Sequence, residues 1–119
     1  MTRNELIQIL ALDVIADDYE SFDKTVADVS TLGRNCGITI GAWEIAEALR
    51  ILIKSDLARA YRLSPSHTFE PIRGLPAADG MEERYFWVTE KGRELQLADF
   101  PGWPFDEKGL LRADWSPPV

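Results

Sequence analysis

The chain has 119 residues, of which 45% are hydrophobic and 28% charged, the proportions of one folded globular domain. Its single cysteine, Cys36, excludes an internal disulfide bond and a zinc site built on paired cysteines, and is typical of a reducing compartment. The formal net charge of −7 disfavours non-specific binding to nucleic acid, because phosphate contacts are made by lysine and arginine.

The first predicted element is a helix over residues 5–16, with the sequence ELIQILALDVIA. Leu6 and Leu10 form one apolar stripe at helical spacing, and a second stripe lies beside it: Ile9, Leu12 and Ile15. A helix that is apolar nearly all round is buried on more than one side, so we expect it to contact its own core and a further surface. The segment is too short and too acidic at its end to span a membrane, and it lacks a cleavage site of small residues, which predicts a cytoplasmic protein.

Two further helices are predicted in the first half of the chain. Ser21 is the expected N-cap of the second helix, and Gly33 is its expected C-terminal stop, followed by a turn over residues 33–37. Thr39 is the expected cap of the third helix, which covers roughly residues 41–55.

The third helix has two contrasting faces. Apolar residues that include Ile45 and Leu49 recur at helical spacing, so we expect them to face the core. The opposite face carries an aromatic side chain and mixed charges: Trp43, Glu47, Arg50 and Lys54. Trp43 is therefore predicted to project outward. Either the loop or the tail then covers it, or it anchors a partner, since tryptophan is enriched at binding hot spots.

Two strands and a short helix are predicted next. A strand over residues 57–63 and a more strongly β-forming strand over residues 84–89 are joined by a long loop over residues 64–82, rich in proline and glycine. Thr89 is the expected cap of a helix over residues 90–97.

Two features of these strands leave alternatives open. The run Tyr85-Phe86-Trp87 favours a core on both faces of the sheet over a platform for stacked bases. Three arginines lie on the predicted strands: Arg59, Arg62 and Arg84. They form either a basic patch or a surface ion-pair ladder with the adjacent Glu82 and Glu83.

The segment over residues 99–119 is predicted to be a docked tail on the domain over residues 1–98. It holds four prolines, and between them six large apolar residues: Phe100, Trp103, Phe105, Leu110, Leu111 and Trp115. Left bare, the second stripe of the first helix would be an apolar patch of a kind that monomers seldom expose. We therefore expect a homodimer built from the first helix and the tail, in preference to a monomer whose tail covers its own first helix.

Two stretches resemble the winged helix-turn-helix superfamily. EIAEALRILIKSDLARAYRL resembles the passage from the third helix into the first wing strand, and YFWVTEKGREL resembles the returning strand and the helix after it. The resemblance covers residues 5–97. It implies a mainly helical α+β fold, with a three-helix core and a two-stranded wing.

The resemblance also implies a function, a DNA-binding transcriptional regulator whose third helix enters the major groove. Candidate contact residues are Trp43, Glu47, Arg50 and Lys54 on that helix, and Arg73 with His67 in the wing. The chain departs from this pattern in its acidic residues, which lie near the start of the third helix and on the second helix: Glu44, Glu47, Asp23 and Asp28. The alternative is a winged-helix module that binds a protein and not DNA.

No enzymatic activity, cofactor or metal is expected. A catalytic pair of His67 and Cys36 would need the two side chains to be adjacent, and nothing in the sequence suggests it. The acidic cluster of Asp17, Asp18 and Glu20 lacks the spacing and the glycine of a calcium loop. Phosphate-binding loops of the dinucleotide or P-loop type are absent from the sequence.

Overall fold

The computed structural model describes residues 1–98 and 102–118. These residues form four helices and four short strands, in the order α1 (Arg3–Val14), β1 (Glu20–Ser21), α2 (Phe22–Asn35), α3 (Ala42–Lys54), β2 (Ala58–Leu63), β3 (Phe69–Pro71), β4 (Tyr85–Val88) and α4 (Glu90–Leu97). A short 3-10 helix, Ala78–Glu83, precedes β4. The predicted α+β class is confirmed.

Two of the three predicted helix caps are confirmed. The Ser21 hydroxyl accepts a hydrogen bond from the backbone N–H of Lys24 at 3.2 Å, at the start of α2. The Thr89 hydroxyl accepts from the N–H of Gly92 at 3.0 Å, at the start of α4. Each bond satisfies one of the N–H groups that the first turn of a helix leaves unpaired.

The predicted cap at Thr39 is wrong. The N-cap of α3 is Gly41, whose backbone N–H donates to the Glu44 carboxylate at 3.1 Å. A glutamate at the third helical position reaches back to the N–H of the cap residue. The N–H of Glu44 itself donates to the Gly41 carbonyl at 3.0 Å, so it is paired without a capping hydroxyl.

The predicted end of α2 at Gly33 is also wrong, since the helix continues to Asn35. Gly33 instead allows the Ile40 side chain to pack closely against α2, because a Cβ at position 33 would lie 2.6 Å from Cδ1 of Ile40. The chain turns at Gly37, whose φ of 92° belongs to the left-handed region that glycine adopts without strain.

The strands form one antiparallel sheet in the order β1-β4-β2-β3. The predicted two-stranded arrangement and the continuous loop over residues 64–82 are wrong, because that segment contains β3 and the 3-10 helix. β3 forms because the chain turns back after β2, where the backbone N–H of His67 donates to the Ser64 carbonyl, and Leu63 then pairs with Phe69.

Helix α1 lies at the centre of the core. Leu6, Leu10, Leu12 and Ile15 are each at most 1% exposed, and α1 packs against α2, α3 and α4. Both apolar stripes are therefore covered within one chain, apart from Ile9, which is partly buried. The first helix therefore leaves no large uncovered apolar stripe, which was the reason for expecting a dimer. The dimer stays a prediction.

The described part of the tail packs on its own chain. The indole Nε1 of Trp115 donates to the Cys36 carbonyl at 2.9 Å, while Trp103 and Phe105 pack against the core. Leu110 and Leu111 are 62% and 47% exposed, so these two leucines of the tail remain largely in solvent. Phe100 lies outside the described residues.

Within residues 1–98 and 102–118, the helices are all too short or too polar to cross a lipid bilayer.

Candidate functional site

A groove of about 560 Å³ opens between the end of α3, strand β2 and the segment that follows β3. Its walls carry three basic side chains, Lys54, Arg59 and Arg73, and one acidic side chain, Asp56. Alanine and isoleucine side chains form the rest of the surface near the sheet. We call this surface the basic groove.

Local structure explains how these side chains reach the groove. Lys54 is the last residue of α3, and Asp56, at φ 62°, turns the chain into β2. On β2, Ala58 and Ala60 are buried, so alternation along the strand points Arg59 to the opposite, solvent-facing side of the sheet, and Arg59 borders the groove where β2 forms its edge. Arg73 comes two residues after β3.

The three basic side chains of the groove are unpaired. Lys54, Arg59 and Arg73 form neither an ion pair nor a side-chain hydrogen bond with any described residue. Other arginines close to them are occupied. Arg50 donates to Glu47 and to the Pro76 carbonyl, both at 3.1 Å. The groove therefore presents three available cations against one carboxylate.

The five predicted contact residues do not form one surface. Lys54 and Arg73 come together in the basic groove, while Trp43 and Glu47 line a separate hollow beside α1. Arg50 lies between the two and ties the segment before the 3-10 helix to α3. Sequence reasoning placed Arg59 only in a possible wing patch. The alternation of Ala58, Arg59 and Ala60 is the signal that marks it as outward-facing.

The remaining wing candidates do not line this groove. Arg62 forms an ion pair at 2.7 Å across β2 and β3, and its partner is Glu70 in place of the Glu82 or Glu83 considered from the sequence. Arg84 is partly buried, and its Nε has no partner among the described residues. His67 is exposed at the turn between β2 and β3, with φ 62°.

Trp43 is 76% exposed, so the prediction that it lies outside the core is confirmed. The alternative in which the loop or the tail covers it is wrong. The indole rests against the backbone of Gly41, where an added Cβ would lie 3.0 Å from Nε1 of Trp43. The hollow beside it measures about 190 Å³.

The start of α3 is held to α1 by an ion pair. Arg3 Nε donates to Glu44 Oε2 at 2.9 Å and Arg3 Nη2 to Glu44 Oε1 at 3.1 Å, a two-point contact. The hydrogen bonds from Arg3 hold the pKa of the Glu44 carboxyl below its ordinary value, and the Gly41 N–H adds to this. The acidic charge of Glu44 is thus already neutralised.

Glu44→Gln is expected to lower the free energy of unfolding at neutral pH by about 1 kcal/mol or less, since Arg3 is partly exposed. With a folded-state pKa below the unfolded one, the carboxylate stabilises the fold above the unfolded pKa. That contribution is lost as the pH falls through the folded-state pKa.

Urea unfolding of both proteins, at neutral pH and at a pH below the folded-state pKa, measures the effect. The difference in stability should shrink at the acidic pH. Arg3→Gln should lower the free energy of unfolding by as much as Glu44→Gln does. The double variant should lower it no further than either single variant. A difference that is unchanged by acid would contradict the role given to this pair.

Five aromatic side chains cover the sheet face opposite the helices: Tyr19, Tyr61, Phe69, Tyr85 and Trp87. Tyr19 stacks on Phe69 with ring centroids 4.1 Å apart, and it also contacts Tyr61 and Trp87. Phe86 points the other way and is fully buried. Because these rings pack mainly against one another, the run Tyr85-Phe86-Trp87 contributes packing contacts on both faces of the sheet.

The residues considered for catalysis or metal binding are not brought together. Cys36 is 1% exposed at the end of α2, and burial raises the pKa of its thiol. His67 is at the turn between β2 and β3. Across the described residues, no cluster of three or more histidine, cysteine, aspartate or glutamate side chains is placed to hold a metal ion.

Comparisons with protein-family models, with curated proteins and with solved structures found no significant match.

Proposed function

We propose that the protein is a winged helix-turn-helix domain that binds duplex DNA, with the basic groove on its phosphate backbone. The order of elements supports this proposal: α1, β1, α2 and α3 are followed by an antiparallel sheet in which β2 pairs with the returning strand β4. In DNA-binding members of that superfamily the third helix and the wing both contact the duplex.

The observation that carries the proposal is the set of unpaired cations, Lys54, Arg59 and Arg73, where α3 meets the sheet. Lysine and arginine bind phosphate by charge-assisted hydrogen bonds, and binding releases counterions from the duplex. The net charge of −7 does not oppose this locally, because both carboxylates on α3 form ion pairs: Glu44 with Arg3 and Glu47 with Arg50.

With three cations available, the protein makes few phosphate contacts. Each contact changes the slope of log K against log salt by about −0.9, so we expect a shallow slope of about −3. Non-specific affinity is then weak at physiological salt, and it rises as the salt concentration falls. Arg50 should contribute little to this slope because it is held by Glu47 and the Pro76 carbonyl.

Fluorescence anisotropy with a short random duplex, over a series of low salt concentrations, tests the proposal. The triple variant Lys54→Ala, Arg59→Ala, Arg73→Ala should bind roughly tenfold or more weakly at low salt, with a slope close to zero. Lys54→Ala alone should reduce the slope by about one unit.

Lys108→Ala is the matched control, since this exposed lysine lies on the tail, away from the groove. It should leave both affinity and slope unchanged. The proposal fails if the wild-type protein does not bind the duplex at low salt. It also fails if binding is tight, steeply salt-dependent and indifferent to the triple substitution.

A further inference from the structure

The hollow beside Trp43 lies between the first halves of α1 and α3, away from the basic groove. Ile7 and Gln8 of α1 face Trp43, Glu47 and Ile51 of α3 across it. Its volume of about 190 Å³ equals roughly six water molecules at ~30 Å³ each, which is room for one long side chain.

The walls of the hollow suit a cation with an apolar stem. Trp43 offers an exposed indole, and the face of an indole attracts ammonium and guanidinium groups. The Glu47 side chain is 54% exposed, and only its Oε2 is engaged, by Arg50. Ile7 and Ala48 provide an aliphatic floor, and none of the lining side chains is basic.

The indole is positioned before any partner arrives. Gly41 has φ −83°, an ordinary value for any residue, so the backbone conformation does not require glycine here. What the missing Cβ provides is space for the neighbouring ring. A Cβ at this position would lie 3.0 Å from Nε1 and 3.1 Å from Cδ1 of Trp43, which is closer than ordinary packing. One edge of the ring therefore lies against bare backbone, which limits how far the indole can turn toward Gly41.

We infer that this hollow binds an arginine side chain presented by a protein partner. The guanidinium group stacks on Trp43 and donates to Oε1 of Glu47, the carboxylate oxygen that Arg50 does not engage, and the methylene stem lies on the aliphatic floor. Arginine fits better than lysine because its planar group both stacks on an aromatic ring and pairs with a carboxylate. A phosphate group is disfavoured, since two carboxylates, Glu44 and Glu47, and no cation line the hollow.

This inference does not depend on DNA binding. It uses the side of α3 that carries Trp43 and Glu47, whereas the basic groove uses Ile53 and Lys54, so the two surfaces share no residue. It specifies the kind of partner for the protein-binding alternative, namely a protein that presents an arginine side chain on an exposed loop or helix.

Nuclear magnetic resonance of the tryptophan indole N–H groups tests the inference on the full chain, with N-acetyl-arginine amide as the probe. The signal of Trp43 is identified by its loss in Trp43→Phe. It should shift in a saturable manner at millimolar probe. N-acetyl-citrulline amide, which has the same shape without the charge, should bind roughly tenfold more weakly. N-acetyl-leucine amide should behave like the citrulline probe.

Variants separate this site from general binding to an acidic protein. Glu47→Gln should weaken the arginine probe by about threefold or more, while Glu82→Gln, an exposed acid elsewhere, should not change it. The triple variant of the basic groove should bind the probe like wild type, so failure here is distinct from failure of DNA binding. Equal shifts with citrulline, an absence of saturation, or shifts centred away from Trp43 would each overturn the inference.

Discussion

Gly92→Ala is expected to destabilise the protein by about 3 kcal/mol, the upper end of the usual range for overpacking, although alanine is the better helix former by about 1 kcal/mol. Gly92 lies in the first turn of α4, against the chain that leads from α3 into β2. A Cβ there would lie 1.9 Å from the carbonyl oxygen of Leu57 and 2.9 Å from its carbonyl carbon. These are backbone atoms, so relief requires α4 or β2 to move.

The same contact region is held by two hydrogen bonds. The backbone N–H of Thr89 donates to the Leu57 carbonyl at 3.1 Å, and the Thr89 hydroxyl donates to the Asp56 carbonyl at 2.6 Å. Moving α4 away from Leu57 therefore strains both bonds, in addition to the packing of α4.

Gly80→Ala is the matched control for this prediction. Gly80 lies in the 3-10 helix, and a Cβ there would meet nothing within 4 Å. Its effect should stay within about 0.5 kcal/mol, the usual range for surface substitutions. Thermal or urea unfolding of both variants measures the difference. A Gly92→Ala protein as stable as wild type would mean that α4 does not pack on Leu57 as described.

Leu49→Ala is expected to cost about 2–5 kcal/mol, the range for removing a buried leucine side chain. Leu49 is 0% exposed on the inward face of α3, between helix α1 and the sheet. Truncation removes apolar contacts and leaves a cavity, which the surrounding helices close only in part.

Leu97→Ala provides the comparison, because Leu97 is the last residue of α4 and is 73% exposed. This substitution should change stability by less than about 1 kcal/mol. Urea unfolding measures the free energy of unfolding of both variants, with the same dependence on urea concentration fitted to each curve. If Leu49→Ala costs less than about 1 kcal/mol, the inward face of α3 is wrongly assigned.

Local sequence was sufficient where a few neighbouring residues decide the structure. Ser21 and Thr89 cap their helices as predicted because a cap needs only a hydroxyl and the next turn of backbone. Ile45 and Leu49 face inward as predicted because helical periodicity sets the face. The prediction of Thr39 was wrong because α3 begins two residues later, with Gly41 as its N-cap, and the N–H of Glu44 donates to the Gly41 carbonyl.

The candidate site was predictable only in part. Lys54 and Arg73 were identified from the resemblance, and the structure brings them to one groove with Arg59. Arg50 looked equivalent to Lys54 on a helical wheel. It is occupied because the Pro76 carbonyl, distant along the chain, accepts its hydrogen bond. No helical pattern contains that contact.

The sequence by itself determined the α+β class, the three core helices, two of the strands and the outward position of Trp43. Each follows from periodicity, propensity or capping, which act between residues close together in the chain. The tertiary structure decided the rest. It added β3 by pairing Leu63 with Phe69, and it covered both stripes of α1 within one chain. It also determined which charged side chains form ion pairs and which are left without a described partner. These outcomes depend on contacts between distant residues, whose partners become defined only when the core has assembled.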